Sequence, residues 1–273
     1  MITADSHVHS DFSSDSQAPM EQMIERAILL GMKKLYFTDH MDYDYPPMSG
    51  LDFLFDPTLY FIKLEELKCK YHKQIQLFIG IELGLQPHLS DQLKNLVNRY
   101  PFDFMIGSSH VVDHEDPYYP KFWENRTKKE GIHRYFETIL ENCKSFQDFH
   151  TYGHIDYIIR YVPGQSTSLI KEDYLYSDYK DVLDEVLKTL IHHGIALEIN
   201  TAGYKYGLGY AHPKQEVLKR YRELGGELIT IGSDAHKPEH LCYDFHLIPD
   251  VLLHTGFQYY TTFEQRKPIF IKL

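Results

Sequence analysis

Seven short apolar runs in this chain each stop at a polar or metal-type side chain, and that pattern limits what the chain can fold into. Met1-Ile2-Thr3-Ala4 leads to His7-Val8-His9, Lys34-Leu35-Tyr36-Phe37 leads to Asp39-His40, and Leu77-Phe78-Ile79-Gly80-Ile81 leads to Glu82. Phe104-Met105-Ile106-Gly107 leads to His110, and His150-Thr151-Tyr152 leads to Gly153-His154-Ile155-Asp156. Ile195-Ala196-Leu197 leads to Glu198-Ile199-Asn200, and the last run, from Leu228 to Ser233, leads to Asp234-Ala235-His236. A barrel of parallel strands carries all its strand C-termini to one rim, where enzymes of this architecture keep their chemistry. Dispersed ligand signals then become one site.

The stretches between the runs read as helices. Apolar residues recur near helical spacing in Pro19 to Leu30 (Met23, Ala27, Leu30) and in Pro57 to Tyr71 (Leu59, Ile62, Leu64, Leu67). Leu89 to Val97 is a shorter helix. Glu130 to Lys144 carries Tyr135, Ile139 and Cys143 on one face, Lys180 to His193 carries Val182, Val186, Leu187 and Leu190, and Pro213 to Leu224 carries Val217, Leu218 and Tyr221. Strand then helix, repeated, predicts an α/β fold of parallel strands joined by crossover helices. Val111 to Lys129 and Tyr161 to Tyr179 are polar and aromatic, follow strand ends, and read as loops over the site.

No linker, repeat or biased tract divides the 273 residues, so residues 1–273 read as a single domain. No apolar run is long enough for a membrane span, and no secretory segment precedes Asp5-Ser6-His7. The three cysteines, Cys69, Cys143 and Cys242, form no C-x-x-C pair, which speaks against a disulfide framework and for a cytoplasmic protein. A net charge of −11 disfavours nucleic acid as a partner. Of 17 histidines, His72, His88, His192, His193, His212 and His254 fall in helix-like stretches or loops and read as ordinary surface or core residues.

The strand-end histidines read differently. His7 and His9 are two apart, so both rings face one side of a strand and can reach one ion. Asp234-Ala235-His236 repeats that spacing on the last run, which a closed barrel sets beside the first. Glu82 offers two oxygens and can bridge two ions. Imidazole mixed with carboxylate suits zinc, iron or manganese.

These residues carry a resemblance. His7-Val8-His9 with Asp15, Thr38-Asp39-His40, Gly80-Ile81-Glu82, Ser109-His110, Gly153-His154 and Ser233-Asp234-Ala235-His236 resemble the motifs of the PHP (polymerase and histidinol phosphatase) superfamily. The stretches around Ser109-His110 and Gly153-His154 look like those of its single-domain histidinol-phosphate phosphatases. The resemblance implies a distorted (β/α)7 TIM-like barrel with a metal centre at the C-terminal ends of the strands. It implies one ion on His7, His9, Glu82 and Asp234, a second on Glu82, His110 and His154, and a third on Asp15, His40 and His236, two to three divalent transition metals in all. Some relatives carry histidine where this chain has Asp15, which makes the third site richer in oxygen.

The expected reaction is hydrolysis of a phosphate monoester, L-histidinol phosphate, to L-histidinol and inorganic phosphate, with hydroxide shared by two ions attacking phosphorus. Three carboxylates against three divalent ions and one hydroxide leave roughly two positive charges, a match for a phosphate dianion. Glu82, Asp15, His236 and Arg160 are the candidate catalytic groups, with Asp15 or His236 near the leaving oxygen and Arg160 gripping phosphate as a planar fork. Lys205 and Arg126 are further phosphate candidates. Asp42 and Glu115 are expected to pair with the substrate's ammonium and imidazole, and Tyr161, Tyr118 and Trp123 to wall the imidazole. Glu198 and Asn200 are expected to orient ligands from behind. Other readings are a phosphoesterase acting on a nucleotide or another small monoester, a metal-dependent deacylase, and a non-catalytic binding domain. The deacylase reading lacks a strand-end lysine, and the binding reading is at odds with a complete set of ligand positions.

Overall fold

The computed structural model describes residues 1–47, 50–164 and 174–273. Part of the loop expected over the site, 165–173, lies outside the described residues. In chain order the elements are β1 (Ala4–Val8), α1 (Met20–Leu29), β2 (Lys34–Phe37), β3 (His40–Met41), α2 (Pro57–Tyr71), β4 (Gln76–Gly84), α3 (Ser90–Arg99) and β5 (Phe104–Ser108). There follow α4 (Pro120–Trp123), α5 (Lys128–Ser145), β6 (Thr151–Tyr152), α6 (Lys180–His193), β7 (Ala196–Asn200), α7 (Ala202–Lys205), α8 (Gln215–Glu223), β8 (Ile229–Gly232), α9 (Ile248–His254), β9 (Tyr259–Glu264) and β10 (Lys267–Lys272).

Each apolar run pairs in parallel with the next, in the order β1-β2-β4-β5-β6-β7-β8. β3 carries the second position of the ring onward, with His40 opposite Glu82. The ring closes between the last strand and the first. The Asp234 N–H donates to His7 O at 2.9 Å and the His9 N–H to Ala235 O at 2.9 Å. Behind this seam the buried Asp5 carboxylate accepts the Ser233 N–H (2.9 Å), the Ser233 hydroxyl (2.6 Å) and the Cys242 N–H (3.1 Å). The expected seven-position parallel barrel is the observed one. β1, β5, β7 and β8 are buried along their whole length, as strands covered on both faces must be.

The helices pack around the ring by their apolar stripes. Asp56 caps α2 through the Thr58 N–H, with Pro57 in the first turn. Its buried stripe is Tyr60, Leu64, Leu67 and Tyr71. Leu59 and Ile62, expected to face inward, are 58% and 62% exposed. Rings at positions 60 and 71 extend the Leu64–Leu67 stripe at helical spacing and bury more area than the aliphatic pair would. Leu30 likewise lies outside the inner face of α1, which is Met20, Met23, Ile24 and Ala27. The inner faces expected for α5, α6 and α8 are the ones buried. α5 opens with a reciprocal Thr127–Glu130 cap, and α6 stops at Gly194, whose φ of 66° a side chain would resist.

An antiparallel hairpin, β9–β10, covers the N-terminal end of the barrel. The buried Tyr36 hydroxyl donates to Phe263 O at 2.8 Å, and the Phe263 ring meets Phe104 and His150. Arg266 donates to the carbonyls of Val97, Tyr100 and Phe102. The opposite rim is where the functional residues gather.

Candidate metal centre

Strand ends deliver the ligand set. His7 lies on β1 and His9 just past it, Glu82 near the end of β4, and His110, His154 and Asp234 directly after β5, β6 and β8. Two glycines make room. A Cβ at Gly84 would overlap the Asp42 carboxylate, and one at Gly232 would collide with His7 and Glu198. Asp234 sits at a φ of 54°, a conformation that costs a non-glycine residue energy and that aims its carboxylate across the seam.

Ligand atoms about 2.1 Å from a common tetrahedral centre stand about 3.4 Å from one another. Around the first position His7 Nε2 is 3.1 Å from His9 Nε2 and 3.3 Å from Glu82 Oε2, and His9 Nε2 is 3.5 Å from that oxygen. Asp234 Oδ1 is 3.6 Å from His9 Nε2 and 4.0 Å from His7 Nε2. At the second, Glu82 Oε1 is 3.0 Å from His154 Nε2 and 3.3 Å from His110 Nε2. At the third, Asp15 Oδ2 is 3.1 Å from His236 Nε2 and 3.6 Å from His40 Nε2. His7, His9 and Glu82 converge, as do Glu82, His110 and His154, so Glu82 stands between two groups, while Asp234 lies nearer His7 and His9 and Asp15 lies against His40 and His236. His9, His40 and His236 also converge, and so do His40, Asp42 and His110.

The back atoms of the His7, His9 and His110 rings are fixed, which turns their other nitrogens inward. His7 Nδ1 donates to Glu198 Oε1 at 2.7 Å, and Glu198 Oε2 accepts the His154 N–H and the Asn200 amide. The Ser13 hydroxyl donates to Asp39 at 2.7 Å, so its oxygen is left to accept from His9 Nδ1 at 3.0 Å. His110 Nδ1 donates to Asp42 Oδ1 at 2.9 Å. Imidazoles anchored by carboxylates or hydroxyls in this way are typical metal ligands. His40 Nδ1 and Glu82 Oε2, 2.9 Å apart, are both buried without an aligned hydrogen bond, and His236 Nε2 is buried without one too. Buried imidazole and carboxylate atoms that face one another without an aligned hydrogen bond fit a cation.

Burial opposes charge throughout the cluster. Against it, Glu198 and Glu82 hold His7 well above the ordinary imidazole range, Glu82 and Asp15 do the same for His40, and Asp42 and Glu82 push His110 up to about 10. Burial and the neighbouring His236 and His40 drive His9 well below it. Glu82, although burial would raise it, is held well below the usual carboxylate range by His7, His40 and His110.

A cavity of about 530 Å³ opens above the cluster. Arg160, Lys205, Tyr118 and Tyr161 border it, with Asp42, Asp15 and His236 at its base. Several expectations need correction. Asp42 is only 4% exposed and its carboxylate holds His110 and faces His40, so it supports the cluster instead of standing free for a substrate cation. Glu115 is turned away, paired with Arg126 at 3.1 Å and Lys121 at 3.4 Å. Its neighbour Asp116 lines the cavity instead, hydrogen-bonded by Tyr45 and the Tyr118 N–H. Arg126, bound by Glu115 and Asp113, does not border the cavity, and Trp123 is buried against Pro117 O. His212, expected to be ordinary, is fully buried between Asp156 and Arg160.

The model of the PHP domain matches residues 5–202. The chain belongs to the PHP family. Among PHP relatives it is 29% identical to a histidinol-phosphatase of Lactococcus lactis over 98% of this chain and 96% of that one. It is 32% identical to a probable histidinol-phosphatase of Clostridium acetobutylicum over 88% of this chain and 89% of the relative. A crystal structure of the Lactococcus lactis histidinol phosphate phosphatase, complexed with zinc, L-histidinol and phosphate, superposes with a TM-score of 0.88 at 28% identity, covering 98% of both chains. Among the described residues of this PHP protein no helix is long and apolar enough to cross a membrane.

Proposed function

We propose that the protein is a metal-dependent phosphatase that hydrolyses L-histidinol phosphate to L-histidinol and inorganic phosphate. The observation that carries the chemistry is the Glu82 carboxylate, one oxygen beside His7 and His9 and the other between His110 and His154. Relatives that match this chain nearly end to end are histidinol-phosphatases, which supports the substrate.

Two to three divalent ions of zinc, iron or manganese are the expected complement, held by His7, His9, Glu82 and Asp234, by Glu82, His110 and His154, and by Asp15, His40 and His236. When bound they supply a water of lowered pKa and positive charge for the phosphoryl oxygens. The chain's own groups do the rest. Glu198, Ser13 and Asp42 lock the rings. Arg160 faces the cavity as a phosphate partner, and Lys205, whose Nζ lies 3.3 Å from Asp234 O, stands beside it. Asp116 is the acid placed to meet a cationic substrate group, and Tyr118 and Tyr161 give that end of the cavity an aromatic wall. Residues 1–273 act as one unit, a reading supported by the packing of β9–β10 under the barrel.

The test is a phosphatase assay across L-histidinol phosphate, nucleotide monophosphates and p-nitrophenyl phosphate, with metal analysis. Chelation should abolish turnover and metal addition restore it, with the highest kcat/KM on L-histidinol phosphate. Full activity in metal-free protein would sink the site, and a nucleotide turned over faster would sink the substrate.

A further inference from the structure

His212 lies outside every ligand group and does not border the cavity. It is fully buried, as is Asp156, against which its Nδ1 rests. The carboxylate can only accept, so Nδ1 carries the proton and Nε2 presents a lone pair. Arg160 Nε donates to that lone pair at 2.8 Å. Asp156 is itself fixed by the Tyr174 hydroxyl at 2.8 Å and the Lys214 N–H at 3.1 Å. Burial lowers the pKa of His212; Asp156 pulls the other way and Arg160 adds to the lowering.

We propose that His212, oriented by Asp156, is a positioning residue that fixes the Arg160 guanidinium toward the cavity while leaving its positive charge undiminished for a phosphate oxyanion. A guanidinium anchored through Nε keeps its terminal nitrogens as a planar fork for two oxygens. The Arg160 ring partners, Tyr206 at 4.5 Å and Tyr157 at 5.8 Å, limit its plane but leave rotation about the side-chain axis to be set by the Nε contact. A carboxylate in direct contact at Nε would orient the fork equally well, yet it would neutralise it. Here the carboxylate stands one imidazole behind. Among the described residues the acid that meets the front of the fork is Asp234, at 3.5 Å, which belongs to the ligand set.

This rests on the reading of Arg160 as a phosphate partner, and the experiment separates the two. His212→Gln places an amide oxygen where Nε2 now accepts; His212→Asn reaches Asp156 but not Arg160. His212→Asn should lower kcat/KM on L-histidinol phosphate by about tenfold to a hundredfold, and weaken inhibition by inorganic phosphate, with metal content unchanged. His212→Gln should recover most of that loss. In an Arg160→Ala background, His212→Asn should add nothing. Equal losses in the Gln and Asn variants, or a His212→Asn loss that persists in full without Arg160, would overturn the positioning role. An Arg160→Ala enzyme with unchanged kinetics would overturn the phosphate-binding role of Arg160, and the positioning role with it.

Discussion

The two ends of the barrel are built from the same seven strand positions but treat polar groups in opposite ways. At the N-terminal end several buried polar groups find partners on or beneath the hairpin, although Thr261 Oγ1 on β9 has none. The Tyr36 hydroxyl has Phe263 O, His150 Nδ1 accepts the Met105 N–H at 2.9 Å, and the Arg266 guanidinium caps three carbonyls. At the C-terminal rim, buried imidazoles and carboxylates face one another, and some of their atoms have no hydrogen-bond partner. Polar groups with partners stabilise a fold modestly, whereas clustered unpartnered ones oppose it. The contrast teaches where the chain places stability and where it holds chemistry.

That division can be broken by substitution. Glu82→Gln should have the largest effect, a fall in turnover on the order of 10³-fold, because it removes the negative charge shared by two ligand groups. The fold should survive, since the apolar residues of β4 are untouched, so a thermal midpoint that collapsed along with activity would contradict the division. Arg160→Ala should lower kcat/KM by about 10²-fold, roughly 2.7 kcal/mol, with stability and metal content little changed. Arg160→Lys should recover only part, because an ammonium lacks the planar fork.

At the other end the expected signature reverses. Burial, helped by the Arg266 charge, pushes His150 down to about 4. Between about pH 6.5 and 4 the unfolded imidazole takes up a proton that the folded one refuses, so stability present above pH 6.5 is lost as pH falls through this window. The loss is on the order of 3 kcal/mol. His150→Asn, whose amide oxygen can accept the Met105 N–H where Nδ1 now does, should flatten that part of the stability curve at unchanged kcat. An unchanged slope would show that His150 does not titrate there. Tyr36→Phe is the smallest case, costing about 1 kcal/mol in denaturant titrations for its lost hydrogen bond and nothing in turnover.

The ligand positions were legible because strand ends are visible as apolar runs and because imidazole and carboxylate have few other reasons to recur there. What lay one step behind them was less so. Glu115 and Asp116 are neighbours of the same charge, and which one faces inward depends on a tight turn in which Asp113 and His114 take φ of 51° and 63°. Nothing in their spacing reports that turn. Asp42 follows His40 by two and faces the ring cluster, an alternation that could have marked it as a supporting residue. His212 acquires its role only from tertiary contact. The β9–β10 hairpin escaped notice because its turn is made by Gln265 and Arg266 at φ of 48° and 67° and not by the Asn-Gly or Asp-Gly pairs that announce such turns.

The seam between β8 and β1 has a consequence for the order of assembly. Asp5 and Ser233 meet across it although 228 positions separate them in the chain, and His9 and Asp234 face each other just above. As the polypeptide emerges, β1 has only one neighbour until β8 is made, and its other edge stays open to wrong partners. Closing so distant a contact is entropically demanding. A cation held by both sides, as proposed, would act as a clasp on the hoop. Occupancy then favours the closed ring by mass action, and the step that readies the protein for chemistry is also the step that protects its first strand.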